Sequence, residues 1–567
     1  MLKYLKKYWH FCLLAPLFML GEIAMDLIQP DMMATIVDEG VLKGDLQLVL
    51  YEGIRMILLV FFGGFCGVMC GVFANLASQQ FGNDLRKDLF AKVMSLSFEQ
   101  TDHFSTGSLV TRLVNDVTQV QQMVAMSMRG VVRNSVMFVG GIIMLYLQSP
   151  RFALVAACGL PFILFFVVFF LKKASPLFAI VQKRLDGVNN CVQETIAGAR
   201  VVKAYVREDH ELERFDAAND ALCDTNLRVQ SLLAFMMPCM NIVLNLCVTA
   251  ILYVGGYTIR TTGDITSGRI MAAITYMAMI LHGVTFMANI FQTFTRAGAS
   301  VNRINEVLRC GNSLPDGPAT PPSPEGELEF RHVSFAYPGG DQNVLEDISL
   351  CVHKGETLGI IGSTGSGKST LANLIPRFYD VTEGQILVDG TDVKDYPLSK
   401  LRKRISIVMQ KAELYSRSIE SNIRWGREEA SPEDIRRAAS IAQADDFIRL
   451  TADGYDTPVT EGGHSLSGGQ KQRIAISRAV LKDARILIFD DATNALDLQT
   501  ESRLYQALQK ECPDVTKVII AQRIASIRNA DRIAVLEGGR LAACGTHEEL
   551  LAGSQIYRDI YDSQLKQ

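Results

Sequence analysis

The 567-residue chain lacks any C-x-x-C pair among its 12 cysteines, which run from Cys12 to Cys544 without regular spacing. That pattern offers neither a disulfide framework nor a zinc motif, and Cys66 and Cys70, inside an apolar run, read as small packing residues. An excess of either charge is also missing. With 56 Lys+Arg against 60 Asp+Glu the net charge is −4, so no global positive field exists to hold nucleic acid. Polarity is in short supply too: the mean hydropathy is +0.17 and 49% of residues are hydrophobic, too apolar for a disordered chain and high for a soluble enzyme. Membrane insertion is the reading these absences leave.

Five stretches contain no Asp, Glu, Lys or Arg: Met56 to Gly82, Asn134 to Pro150, Phe152 to Leu171, Val229 to Ile259 and Ile270 to Thr295. A bilayer core needs roughly 20 apolar helical residues, because backbone groups cannot be left unpaired in lipid. A sixth span runs from about Trp9 to Pro30, interrupted by Glu22 and Asp26, and reads as a retained signal anchor. Six spans put both termini on one side. Lys3, Lys6 and Lys7 before the first span, and Arg86, Lys87, Lys92, Lys172, Lys173, Lys183 and Arg184 in the two long loops, make that side cytoplasmic. About 50 residues per helix corresponds to ~75 Å, well beyond a ~30 Å bilayer core, so two helical hairpins should project far into the cytoplasm.

Residues 312–325, NSLPDGPATPPSPE, disfavour continuous helix through five prolines and mark a linker between a membrane domain (1–311) and a soluble domain (326–567). The soluble part alternates β-like runs such as ETLGIIG, RILIFD and KVIIAQ with helical ones, an α/β pattern. TLGIIG-STGSGKST sets Gly362, Gly365, Gly367, Lys368 and Ser369 after an apolar strand and before a helix, with Ser363, Ser366 and Thr370 in the same run. This is the context of a P-loop: glycines let backbone N–H groups approach phosphates, Lys368 neutralises β/γ oxygens of ATP, and the Ser369 hydroxyl reaches Mg²⁺. Arg485 to Asp490, RILIFD, ends a buried strand in a carboxylate placed to hold Mg²⁺ through water.

Leu466-Ser467-Gly468-Gly469-Gln470 matches the signature of ABC transporters, and six spans followed by one such domain resembles an exporter-type half-transporter over the whole chain. The resemblance implies further positions. Tyr337 is similar to the aromatic that stacks on adenine, Gln410 to the Q-loop glutamine and metal contact, Thr460-Glu461 to the loop before the signature, and Ala495-Leu496-Asp497 to the D-loop. Phe104 to Asp116 and Gln193 to Glu208 resemble the two cytoplasmic loops of exporters. A single P-loop per chain implies dimerisation, with Ser467, Gly468 and Gly469 facing ATP bound to a second chain. A soluble DNA-repair ATPase is excluded by the spans, and an importer is disfavoured by the fused order.

Two positions depart from the family pattern. Asp491 stands where a glutamate usually polarises the attacking water, and Gln522 where a histidine usually contacts the γ-phosphate. One methylene withdraws the carboxylate by over ~1 Å, and misplacement of that order can cost ~10²-fold in rate. The pairing resembles the non-consensus subunit of heterodimeric bacterial multidrug exporters, which implies a paralogous partner supplying the competent site while this chain supplies its intact signature. The plain alternative is a homodimeric lipid or peptide exporter in which both residues are tolerated variants. A third class is a channel or sensor switched by ATP.

The cargo is the least legible part. Glu22 and Asp26 are candidates for binding or gating cationic amphiphiles, with interhelical hydrogen bonding as the structural counterpart, and Arg129 to Arg133 joins them as an ionisable region within a span. Phe235, Met236, Met237, Met240, Tyr276, Met279, Phe286 and Met287 could line an adaptable apolar cavity or simply pack.

Overall fold

A computed structural model describes residues 1–261, 263–311, 313–318, 323–340, 342–463 and 465–565; linker positions 312 and 319–322, and the side chains of Met287 and Glu461, lie outside the described residues. The chain divides into two compact units, Met1–Met94 with Thr106–Cys310, and Ser95–Ser105 with Gly311–Gln567.

The first unit is helical. Trp9–Val41, Leu46–Met94, Thr106–Gln148, Pro150–Ala197 and Glu208–Thr261 are, among the described residues, long and apolar enough to cross a membrane. Ser267–Arg309 is a sixth long helix. The Leu46–Met94 helix has 49 residues and Pro150–Ala197 has 48, so each is ~70 Å long at 1.5 Å per residue and overshoots a ~30 Å bilayer core. The excess is the polar half of each helix, where Asp84, Arg86, Lys87, Lys183 and Arg184 sit.

Inside this unit the spans pack through small residues and a few polar ties. Gly67 leaves room for Glu22, because a β-carbon there would come within 2.7 Å of the Glu22 carboxylate. Arg133 binds both acids of the first span: one guanidinium nitrogen pairs with Glu22 and the other lies 3.0 Å from Asp26 Oδ2. The acids therefore have an intramolecular partner, and the interhelical role is the one observed. Met240 and Tyr276 are buried in the helix core, with Met236 and Met279 packed against it, and the Tyr276 hydroxyl donates to the Leu27 carbonyl at 2.7 Å. These four are packing residues. Phe235 and Met237 are exposed.

The second unit is α/β. A four-stranded antiparallel sheet has the order β2-β1-β4-β5, with β1 Leu328–Phe335, β2 Leu345–Val352, β4 Glu383–Val388 and β5 Thr391–Asp392. A six-stranded sheet has the order β10-β9-β3-β8-β7-β6, with β3 Thr357–Gly362, β6 Ile405–Val408, β7 Ile486–Asp490, β8 Thr516–Ile520, β9 Arg532–Glu537 and β10 Arg540–Gly545. Its five inner and flanking strands β9 to β6 run parallel, and β7 is buried at every residue, as a strand covered on both faces must be. The chain enters through Asp389, whose Oδ1 accepts the backbone N–H groups of Glu325, Gly326 and Glu327 at 2.6 to 3.2 Å while its other oxygen pairs with Arg404.

The short helix Phe98–Phe104, the tip of the first hairpin, belongs to this second unit. Ser97 caps it in a reciprocal box with Gln100. Phe98 stacks on Phe378 with centroids 4.2 Å apart, and the Tyr379 hydroxyl donates to Asp102 at 2.8 Å.

Candidate functional site

The parallel sheet delivers the site at the C-terminal ends of its strands, where open α/β sheets place ligands. β3 runs into the Gly362–Ser369 loop and the helix Lys368–Leu374. Gly362 and Gly367 cannot be replaced within this loop. A β-carbon on Gly362 would lie 2.1 Å from the Leu536 carbonyl, and Gly367 has φ +92° with a virtual β-carbon 2.6 Å from Leu345. The Lys368 ammonium turns back on the loop, donating to the carbonyls of Gly362 at 2.9 Å and Ser363 at 2.7 Å.

β7 places Asp490 opposite this loop, and Ser369 Oγ donates to its Oδ1 at 2.7 Å. Asp491 follows with φ +52°, a left-handed conformation that costs of order 1 kcal/mol outside glycine. Its Oδ2 accepts the side-chain amides of Gln522 at 2.7 Å and Gln410 at 3.1 Å, while its Oδ1 is buried with no partner among the described residues. Gly365, Gly367, Lys368, Ser369, Thr370, Gln410, Asp491 and Gln522 together line one cleft of about 270 Å³, to which Thr364, Val344 and Ile520 also contribute. Thr364 is a variable position inside the P-loop run, and Val344 and Ile520 carry no motif signal of their own.

Tyr337 stands at the edge of this arrangement. Its hydroxyl lies 3.0 Å from Thr370 Oγ1, and its ring meets Phe335 and Tyr379 edge-on at 4.9 and 5.3 Å between centroids. Three aromatic rings and one hydrogen bond therefore fix a face over the start of the P-loop helix.

Burial lifts the Asp490 carboxyl above the ordinary carboxylate range; the Ser369 hydroxyl and Lys368 oppose this, and the neighbouring Asp491 adds to it. Asp491 is likewise raised by burial, against the side-chain amides of Gln410, Gln522 and Asn494 and the charge of Lys368, and Lys368 is lowered by burial against both acids. The folded chain thus binds a proton at Asp490 more tightly than the unfolded one. The resulting penalty is absent below the ordinary aspartate pKa of about 3.9 and fully present once the pH exceeds the folded value. Asp490→Asn is therefore expected to raise the melting temperature of the nucleotide-free chain at neutral pH, with the gain disappearing near pH ~4; differential scanning calorimetry across pH measures it.

The same chemistry fits a divalent cation. A raised acid hydrogen-bonded to a hydroxyl, beside an orphaned buried carboxylate oxygen, is a donor set of hard oxygens suited to Mg²⁺.

The signature residues are elsewhere on the surface. Ser467 caps the helix Gly468–Leu481, its Oγ accepting the Gln470 N–H at 3.3 Å while Gln470 Oε1 accepts the Ser467 N–H at 2.9 Å. Ser467 and Gly468 are exposed, and neither they nor Gly469, Gln470 and Asp497 line the P-loop cleft. Asp497 caps the next helix, Leu498–Glu511, accepting from Thr500. The P-loop cleft and the exposed N-terminus of the Gly468–Leu481 helix are therefore separate surfaces of one chain.

Residues 12–284 match the ABC transporter transmembrane region and residues 345–494 match the ABC transporter family. An uncharacterised ABC transporter ATP-binding protein of Bacillus subtilis, YfiB, is 41% identical over 564 residues, spanning 99% of this chain and 98% of the relative. The chain belongs to the ABC transporter family. The ATP-dependent lipid A-core flippase of Syntrophus aciditrophicus is 33% identical over 532 residues, 94% of this chain and 88% of the flippase. A solved bacterial Atm1-family ABC exporter with ATP bound superposes with a TM-score of 0.82 at 26% identity, covering 99% of this chain and 98% of that one. This ABC exporter half-transporter is a multi-pass membrane protein that binds ATP and couples its hydrolysis to transport, and exporters of this kind work as dimers.

Proposed function

We propose that this half-transporter exports amphiphilic compounds, lipids foremost, across the cell membrane by alternating access, with both termini cytoplasmic, and that it does so as the slow-site member of a heterodimer. The observation that carries the slow-site reading is Asp491. Its one reachable oxygen is occupied by the amides of Gln410 and Gln522, and the other is buried. An attacking water would have to displace an amide to be polarised there, and Gln522 cannot take part as an imidazole would. The exposed, fully capped signature at Ser467 is sound by contrast. It supports a lid for ATP held by the P-loop of a partner.

Within the cleft, Tyr337 would stack on adenine, the loop from Gly362 to Thr370 would cradle the phosphates, and Ser369, Asp490 and Gln410 would hold Mg²⁺, which supplies charge neutralisation to the β- and γ-phosphate oxygens when bound. ATP binding can drive closure only because the closed pair offers it Ser467 in addition to the P-loop, a differential contact. The helix Phe98–Phe104, anchored by Phe98 and Asp102 on Phe378 and Tyr379, would carry that closure to the spans.

The lipid reading rests on the flippase relatives and on the pairing of Glu22 and Asp26 with Arg133, which leaves those acids less available to a cationic cargo. A homodimeric lipid exporter is the second reading, favoured by the similarity of 94% of the chain to an ATP-dependent lipid A-core flippase. ATPase assays separate the two. The purified chain alone should turn over slowly, and Asp491→Glu should raise its rate about tenfold, short of the ~100-fold that full repositioning of the carboxylate would give. Brisk turnover by the unmodified chain alone contradicts the slow-site reading.

A further inference from the structure

We propose that Cys351, His353 and Glu327 form a surface site for a zinc-class divalent cation on the edge of the antiparallel sheet of the nucleotide-binding domain.

The pairing register brings the three together. β2 is the edge strand, and β1 pairs with it so that Leu328 faces Val352 and Glu329 faces Cys351. Alternation puts Cys351 and His353, two residues apart, on one face, and the same register carries Glu327 opposite His353 on that face. The donor atoms all lie within 4.8 Å of one another. His353 Nδ1 is 4.0 Å from Cys351 Sγ and 3.4 Å from a Glu327 carboxylate oxygen. Tetrahedral zinc with the usual Zn–S and Zn–N/O bonds separates such donors by about 3.6 and 3.3 Å, so the two pairs that involve His353 need to close by only a few tenths of an ångström, and the Cys351–Glu327 pair by no more than about 1.2 Å.

The surroundings favour a cation and this class in particular. Glu329 and Glu356 add negative charge, although Glu329 is committed to Arg331 at 2.7 Å and the Glu356 carboxylate accepts the His353 N–H at 2.7 Å. The guanidinium of Arg532 donates to the Cys351 carbonyl at 3.0 Å and to Cys544 Sγ at 3.2 Å, so its hydrogen bonds go to atoms other than the three donors. A thiolate with an imidazole selects zinc-like ions over Mg²⁺ and Ca²⁺, so the site would not compete with the ATP cleft for magnesium. His353 and Glu327 are largely open to solvent, which leaves a coordination position for water and makes the ion exchangeable. On binding, the Cys351 sulfur forms the metal bond and its proton goes to solvent. The ion would tie the first residues after the linker, anchored at Asp389, to the edge strand that leads into β3 and the P-loop.

Cobalt(II) titration of the purified full-length chain, freed of metal with a chelator, tests this. We expect one saturable equivalent with the thiolate charge-transfer band and visible absorption of a tetrahedral site, displaced by zinc. Cys351→Ser should remove the charge-transfer band, and His353→Ala should weaken binding by more than ~100-fold, beyond the loss typical of outer-shell changes. His353 is exposed, so its variant keeps the test meaningful even if the cysteine variant folds poorly, and the other 11 cysteines are common to the chain and the His353 variant. An unchanged cobalt spectrum in His353→Ala, or no saturable uptake by the parent chain, overturns the proposal.

Discussion

Lys368→Ala is expected to lower ATP-driven transport and ATP turnover of the assembled exporter by about 10²- to 10³-fold, the loss typical of removing one preorganised charge partner from a developing oxyanion. The lysine is held by the carbonyls of Gly362 and Ser363 in the nucleotide-free chain, and burial already disfavours its charge. On the proposed function, a phosphate chain would replace the carbonyls and restore a partner for that charge. Alanine leaves two loop carbonyls without their donor, and arginine should not rescue, because a planar guanidinium does not fit contacts made by a compact ammonium. Turnover and transport measured in the same vesicles, with the variant's ATP affinity measured separately, give the result. Transport within about twofold of the parent would remove Lys368 from the site.

Gly468→Asp carries the second large effect, in the signature turn. Gly468 is the first residue of its helix, and a β-carbon there would meet only Ala495 Cβ, at 3.8 Å. An acidic side chain at a helix N-terminus is itself stabilising by ~0.3–1 kcal/mol, so the chain should fold normally. If the signature turn faces the γ-phosphate of a partner's ATP as proposed, the same carboxylate would be repelled. Two unit charges 4 Å apart interact by about 4 kcal/mol at an effective dielectric of 20, equivalent to ~10³-fold in rate or affinity. Gly468→Asp should therefore abolish hydrolysis by the complex while ATP still binds this chain's own P-loop, and Gly468→Ala should be mild. Gly469 is no substitute for this test, since its β-carbon would fall 2.8 Å from the Ala495 carbonyl and the backbone would have to shift.

What was legible in the sequence follows from how far apart the determinants lie. Charge-free runs and an eight-residue P-loop are local, so the helical membrane domain and the α/β ATPase domain of an ABC exporter could be read without a structure, as the 41% identical relative and the exporter superposition bear out. The charge-free runs predict six spans; five helices meet the length and composition for crossing among the described residues, and Ser267–Arg309 supplies the sixth long helix. Pairings across the chain were hidden. Arg133 answers Glu22 from 111 residues away, Tyr379 answers Asp102 from 277, and neither hydropathy nor motif spacing encodes such a match. The Cys351, His353 and Glu327 cluster needs the β1–β2 register, so a scan for C-x-x-C spacing passes over it. The occupation of Asp491 by two glutamine amides is likewise geometry alone; the sequence offers only its shortened side chain.

The central claim is that ATP is held between two polypeptides, the P-loop of one and the Ser467 turn of the other. A photo-crosslinking residue placed at position 467 of the full-length exporter in membranes, irradiated with ATP and Mg²⁺, tests it most directly. The account predicts an ATP-dependent adduct between two chains, mapped by mass spectrometry to the P-loop segment of the second, whether that second chain is a copy or a paralogue. Adducts confined to the chain's own residues, with ATP-driven transport intact in a single-chain particle, would contradict it.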